Sequence, residues 1–184
     1  MTSPGQPAGQ PLQALLADGS LAGEWTLDPA RSEVILHTRH TWGLLPLRGA
    51  FTRVSGHGTV TETGQASGVI AVTAESVDTK NPQRDKHLRS ADFFDVGNHP
   101  EITVAVESVT PSPAGVRVAG TLTVRDRTKP VSFEAQVSVA DGGGELTLHG
   151  ELPVNRGDYG LNWNFLGIAA MDSRIEVRAV FTRG

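Results

Sequence analysis

Val116-Arg117-Val118-Ala119-Gly120-Thr121-Leu122-Thr123-Val124-Arg125 decides the fold. Val116, Val118, Leu122 and Val124 share one face, and Arg117, Thr121, Thr123 and Arg125 share the other. That period of two is the signature of a half-buried strand, because successive side chains leave a strand on opposite sides. Ser173–Thr182 repeats it, with Ile175, Val177, Ala179 and Phe181 on the dry side and Arg174, Glu176, Arg178 and Val180 on the wet side. Val131, Phe133, Ala135, Val137 and Val139 alternate with Ser132, Glu134, Gln136 and Ser138. Trp25–Leu27, Ser32–His40, Phe51–Val60, Gly68–Val77, Ile102–Ser108 and Glu145–Val154 are predicted as further strands. Asp28-Pro29, Thr63-Gly64, Pro111 to Gly115, Lys129-Pro130 and Asp141 to Gly144 are the turn signals between them. The reading is all-β: an antiparallel meander of about eight strands, whose dry face must be buried by sandwiching or by closing on itself.

Two segments depart from the alternation. Asn81 to Arg89 reads as a short helix, with Asn81 as N-cap and Pro82 at the first helical position. Leu12, Leu15 and Leu16 stand at helical spacing, and Asp18-Gly19 ends that run. Residues 1–22 are therefore expected to be a flexible tail with a short helical turn, and residues 23–184 the barrel domain.

Composition narrows the function. Of 184 residues 38% are hydrophobic and 21 are Gly, an ordinary globular content that opposes wholesale disorder. The net charge of −4 carries no basic excess of the kind nucleic-acid binders show. The absence of Cys excludes disulfides, thiol nucleophiles and thiolate metal sites. No apolar run approaches the roughly 20 residues of a membrane-spanning helix. Met1 to Leu21 contains no apolar core of a secretory signal, so a cytoplasmic location is expected.

Motifs of chemistry are sparse. Neither a G-x-S-x-G elbow, a P-loop nor a dinucleotide G-x-G-x-x-G occurs. Among His37, His40, His57, His87, His99 and His149 there is no H-x-H or H-x-x-x-H pair, so no metal is expected. His37 and His149 read as solvated, and His40 as an interior or rim residue. Arg156-Gly157-Asp158 reads as the brace of a turn with Tyr159-Gly160 rather than an adhesion triplet. Ala74, Gly120, Ala135, Gly150 and Ala179 are small residues on the predicted dry face. They fit a barrel that keeps a cavity, or equally bends and crowding relief in a filled one.

Several ordered stretches resemble the YceI-like family of lipid- and polyisoprenoid-binding, lipocalin-like proteins. They are Gly23-Glu24-Trp25-Thr26-Leu27-Asp28-Pro29-Ala30-Arg31-Ser32, then Gly49-Ala50-Phe51 and Ser76-Val77-Asp78-Thr79-Lys80-Asn81. Arg84-Asp85, His87-Leu88-Arg89-Ser90, Asp92-Phe93-Phe94-Asp95 and His99-Pro100-Glu101-Ile102-Thr103 follow. Gly120-Thr121-Leu122-Thr123-Val124, Thr128-Lys129-Pro130-Val131 and Arg156-Gly157-Asp158-Tyr159-Gly160 close the series. The chain departs from the family pattern at Arg31, where His is common, and at Leu36 and Val104, where aromatics are common. The Leu12 to Asp18 prefix and Trp42-Gly43 are similar to a cytosolic actinobacterial branch.

The resemblance implies a closed antiparallel lipocalin-like barrel that sequesters or carries a long isoprenoid or other lipid in an apolar tunnel. It implies no cofactor beyond that isoprenoid or fatty-acyl ligand, no catalysis, and a homodimer as the assembly many relatives form. The expected wall is Val34, Leu36, Ile70, Val72, Ile102, Val104, Val106, Leu122, Val124, Phe133, Ile175 and Val177. Phe93, Phe94, Trp163 and Phe165 are expected to line or plug it. His40, Arg84, Asp85 and His87 are the expected polar groups near an opening. Two alternatives stay open: a small enzyme using Asp85 with His87 or His40 as acid and base on an apolar substrate, and an interaction barrel with a filled core.

Overall fold

From Gly115 to Val124 the backbone is a strand, and Val116, Val118, Leu122 and Val124 are 0–6% exposed while Arg117 faces water. The same burial of alternate residues organises the whole chain. The computed structural model describes residues 12–40, 44–163 and 170–184, and of His40 the backbone only. The elements are α1 (Leu12–Ala17), β1 (Gly23–Leu27), β2 (Glu33–His40), β3 (Leu45–Phe51), β4 (Val54–Val60), β5 (Ala66–Thr73), β6 (Val77–Asp78), α2 (Pro82–Arg89), β7 (Glu101–Ser112), β8 (Gly115–Val124), β9 (Arg127–Val139), β10 (Glu145–Asn155) and β11 (Asp172–Arg183). Ala74–Ser76 and Arg156–Tyr159 form 3₁₀ turns.

All described pairings are antiparallel. The order β1-β4-β5-β7-β8-β9-β10-β11 returns to β1, so eight strands close a ring. β11 is long enough to pair twice: Phe181–Arg183 with β1 and Arg174–Arg178 with β2. β2 then pairs with β3, and β3 with β6. Closure leaves the ring without a free edge, which is how an up-and-down barrel satisfies its backbone polar groups.

The ends of the barrel differ. At one end, β8 and β11 supply Val116, Ala179 and Phe181, β9 supplies Ala135, and β1 supplies Trp25 and Leu27, all 0–8% exposed. Trp25 is fixed there by its Nε1–H donating to the Leu21 carbonyl at 3.0 Å and by the Arg183 guanidinium 5.0 Å from its ring centroid. α1 packs Leu12, Leu15 and Leu16 against the core. The other end is hollow.

Four local readings are corrected. Phe51–Val60 is not one strand: β3 ends at Phe51 and β4 begins at Val54. β3 also extends back to Leu45 through Pro46, which a strand tolerates on an edge where its missing N–H serves no neighbour. Lys129-Pro130 is not a turn; β9 starts at Arg127, and the turn is at Arg125 (φ 56°). Pro130 lies where β9 pairs with β8 alone, since the β9–β10 ladder covers only Ala135–Val139. Gly68–Val77 is interrupted after Thr73 by the Ala74–Ser76 turn. Val180, expected outside, is 2% exposed because the Asp28–Ser32 crossover covers it: its N–H donates to Ser32 Oγ at 3.0 Å and its carbonyl accepts from Asp28 at 2.8 Å.

The small residues do not make the cavity. A Cβ on Gly120 would lie 1.9 Å from the Ala105 carbonyl oxygen, beside the register shift between Val106 and Ser108. A Cβ on Gly150 would lie 3.0 Å from Ala135 Cβ and Phe133 Cε2. Both relieve crowding, as do Ala74, Ala135 and Ala179, which are 0–3% exposed.

Candidate functional site

The hollow half encloses a cavity of about 480 Å³. Its position follows from strand direction. β8 lines it with Leu122 and Val124, β7 with Ile102, Val104 and Val106, and β11 with Ile175 and Val177. These are the segments nearest the end opposite Trp25. Val34 and Leu36 on β2, Ile70 and Val72 on β5, and Phe133 on β9 complete the expected part of the wall. Val104 is only half-buried although it points inward, because its side chain faces space rather than other atoms. The wall also takes Leu148, Leu152 and Val154 from β10 and Leu47 from β3. Alternation on β10 marks Leu148, Leu152 and Val154, and sequence reasoning passed over them.

Phe93, Phe94 and Trp163 line the same cavity from irregular segments. Phe94 meets Phe93 edge-on at 4.9 Å and Phe51 at 6.0 Å, which wedges the loop after α2 against the wall. Phe165 lies outside the described residues, as do the His40 side chain, Trp42 and Gly43.

α2 closes part of the opening and is anchored by polar contacts. Asn81 Oδ1 accepts from the Arg84 N–H at 3.0 Å, the cap that the Asn-Pro start requires. Arg89 donates from Nε to the Glu75 carbonyl at 2.7 Å and from NH2 to that of Val77 at 2.9 Å. Asp85 does not line the cavity. It is 6% exposed and turned into the protein, where Oδ1 accepts the Thr79 N–H at 3.0 Å and the Thr79 hydroxyl at 2.5 Å. The reason is the helical period: Arg84 and His87 sit three apart on the face toward the cavity, and Asp85 falls on another.

Arg84 donates from Nε to Thr79 Oγ1 and from NH2 to the Thr79 carbonyl, both at 2.8 Å. The His87 ring packs on Trp163 at 4.1 Å between centroids. Arg156 was not expected here. It is 7% exposed and donates to the carbonyls of Ala170, Leu161 and Trp163 at 2.8–3.0 Å. Burial pulls its guanidinium below the usual arginine range and pushes the neighbouring Tyr159 phenol up. An Arg so buried is unavailable to an adhesion receptor.

Outside the barrel, register joins residues that are far apart in sequence. Glu176 on β11 meets His37 of β2 at 2.7 Å and His149 of β10 at 3.2 Å. The His37 contact first, and the His149 contact next, hold the Glu176 carboxyl below the usual carboxylate range. Each His bonds a different oxygen. Among the described residues no cluster of His, Asp and Glu is arranged to hold a metal ion, and no helix is long and apolar enough to cross a membrane.

Residues 25–182 match the model of the YceI-like domain. The chain is 31% identical over 129 residues to a UPF0312 protein of Yersinia enterocolitica, covering 66% of this chain and 65% of that protein. It is 37% identical over 105 residues to Protein YceI of Escherichia coli, covering 56% and 53%. The chain thus spans between half and two thirds of the curated relatives it matches. Two solved structures share the fold. BcnA of Burkholderia cenocepacia superposes with a TM-score of 0.74 at 22% identity, over 84% of this chain and 98% of that one. A polyisoprenoid binding domain of Saccharophagus degradans, implicated in plant cell wall breakdown, superposes with 0.67 at 15% identity, over 87% and 98%.

Proposed function

We propose that this chain, which belongs to the YceI-like family, binds a long isoprenoid or other lipid chain in the hollow half of its barrel and sequesters or carries it. The observation that carries the reading is the cavity: about 480 Å³, walled mainly by Val, Leu, Ile and Phe, most of them from β2, β5, β7, β8, β9, β10 and β11. That volume lies within the roughly 300–1,000 Å³ of small-molecule sites. An apolar void of this size leaves side chains without partner atoms, which an apolar ligand supplies. Each CH₂ taken from water contributes ~0.8 kcal/mol, so a dozen give roughly 10 kcal/mol gross before the costs of association and ordering. Because Trp25, Leu27 and Phe181 fill the opposite end, the site reads as a blind pocket more than a through-tunnel. The polyisoprenoid binding of the Saccharophagus domain supports the ligand class.

A binding role is favoured over catalysis by Asp85. The carboxylate of an acid/base pair must reach the substrate, and Asp85 is turned away from the cavity onto Thr79. The test is displacement of a neutral apolar fluorophore, N-phenylnaphthylamine, by geranylgeraniol and by hexadecanol. Saturable one-to-one displacement is expected. Absence of saturable fluorophore uptake, together with no displacement by either alcohol, would overturn the reading.

A further inference from the structure

The cavity is apolar along its length and cationic at one pole. Arg39, Arg84, His87 and Arg156 line it. None of the 20 Asp and Glu residues of the chain does, and every one of those 20 lies within the described residues. Three of these four side chains form one cluster. Arg84 and His87 share a face of α2, the His87 ring lies on Trp163, and Arg156 donates to the Trp163 carbonyl at 2.8 Å.

The chemistry of this pole is incomplete. Arg84 has no carboxylate within ion-pair distance; its hydrogen bonds go to the hydroxyl and carbonyl of Thr79. Asp85, the acid next to it in sequence, stands behind Thr79 and spends its Oδ1 on the Thr79 N–H and hydroxyl. His87 Nε2 is buried without a hydrogen-bond partner. A buried polar atom left unmatched is costly, and a cation facing a low-dielectric cavity favours a counter-charge. A planar guanidinium beside an imidazole suits an oxyanion, which can accept from both. An alcohol or ketone head offers a neutral oxygen and leaves the charge uncompensated.

We propose that the ligand is an amphiphile with an anionic oxygen head, a carboxylate or a phosphate ester, held by Arg84 and His87 with its chain in the hollow half of the barrel. This rests on the lipid-binding reading and adds the head group to it.

The experiment uses matched pairs that differ only in the head: geranylgeranyl monophosphate against geranylgeraniol, and palmitate against hexadecanol. Each competes with N-phenylnaphthylamine below its micellar concentration. On the wild-type protein at least one anion displaces the probe at tenfold or lower concentration than its alcohol. Preference in the phosphate pair alone identifies a prenyl or lipid phosphate, and preference in the carboxylate pair alone a fatty acid. Arg84→Gln and His87→Gln each shrink that ratio at least threefold. Equal affinity for anion and alcohol on the wild type overturns the inference while leaving lipid binding intact, whatever the variants do. A wild-type preference that survives both substitutions overturns it too. Failure of all four compounds overturns the lipid-binding reading and this inference with it.

Discussion

Val104→Phe and Val116→Phe make the same chemical change on paired strands of one barrel, and the account predicts opposite results. Val104 faces the cavity opposite Leu122, its Cα partner on β8, with Ile70 beside it on β5. A phenyl ring there enters a void of about 480 Å³ and meets no wall until much of it is filled. It gains apolar contact at no packing strain, so thermal stability is retained or rises. Val116 is 0% exposed in the filled half, paired with Ala135. The same ring there overpacks a close-packed core, at about 1–3 kcal/mol. For a domain of this size each kcal/mol shifts Tm by roughly 2–4 °C, so Val116→Phe should melt roughly 2–12 °C lower. Lipid uptake reverses the order: Val104→Phe weakens displacement of N-phenylnaphthylamine by geranylgeraniol, and Val116→Phe retains it in the folded fraction. Calorimetry and the displacement assay on the two variants decide the matter. Equal destabilisation by both, or undiminished uptake by Val104→Phe, would refute the assignment of hollow and filled halves.

Asp85→Ala should destabilise by about 1–3 kcal/mol, read by denaturant unfolding, because the buried Thr79 N–H and hydroxyl lose their acceptor; an unchanged midpoint would show that Asp85 does not anchor α2. Gly120→Ala should cost at least about 1 kcal/mol, since its Cβ would meet the Ala105 carbonyl at 1.9 Å and the β7–β8 ladder must shift; a melt matching wild type would contradict that close approach. Glu176 has a lowered carboxyl pKa in the folded chain, so it binds its proton more weakly folded than unfolded. Its stabilising contribution is therefore complete above the ordinary carboxylate range and is lost as pH falls through the lowered value; the stability gap between wild type and Glu176→Gln should be present at pH 6 and close on acidification, and a gap constant with pH would refute the His37–Glu176–His149 linkage.

Alternation made the faces of β8, β9 and β11 legible, because every second residue from Val116 to Val124 and from Ile175 to Phe181 is apolar. The resemblance supplied closure, which period two leaves open between a sandwich and a barrel. What alternation conceals is where the interior is full. Val116 and Val124 are the same residue on the same face of one strand, yet only Val124 borders the cavity. The difference is made across the barrel by Trp25, Leu27 and Phe181, whose bulk fills one end. Gly120 was ambiguous for a related reason: a bulge is a property of two strands, and it shows only once Val106 and Ser108 are registered against β8. Arg156 and the His37–Glu176–His149 group are likewise products of register and of a turn, with partners up to 139 positions apart. Asp85, by contrast, was misplaced although the period of α2 was readable, since one step along a helix from Arg84 already turns a side chain off the shared face.

The most direct measurement is mass spectrometry of protein purified without detergent, once intact under native conditions and once after solvent extraction of the unfolded chain. The account predicts a complex heavier than the polypeptide by one lipid, with a single long-chain species released on extraction at up to one per barrel. A native mass equal to that of the polypeptide alone, with no extractable chain and no mass gain after incubation with geranylgeraniol, geranylgeranyl monophosphate or palmitate, would contradict it.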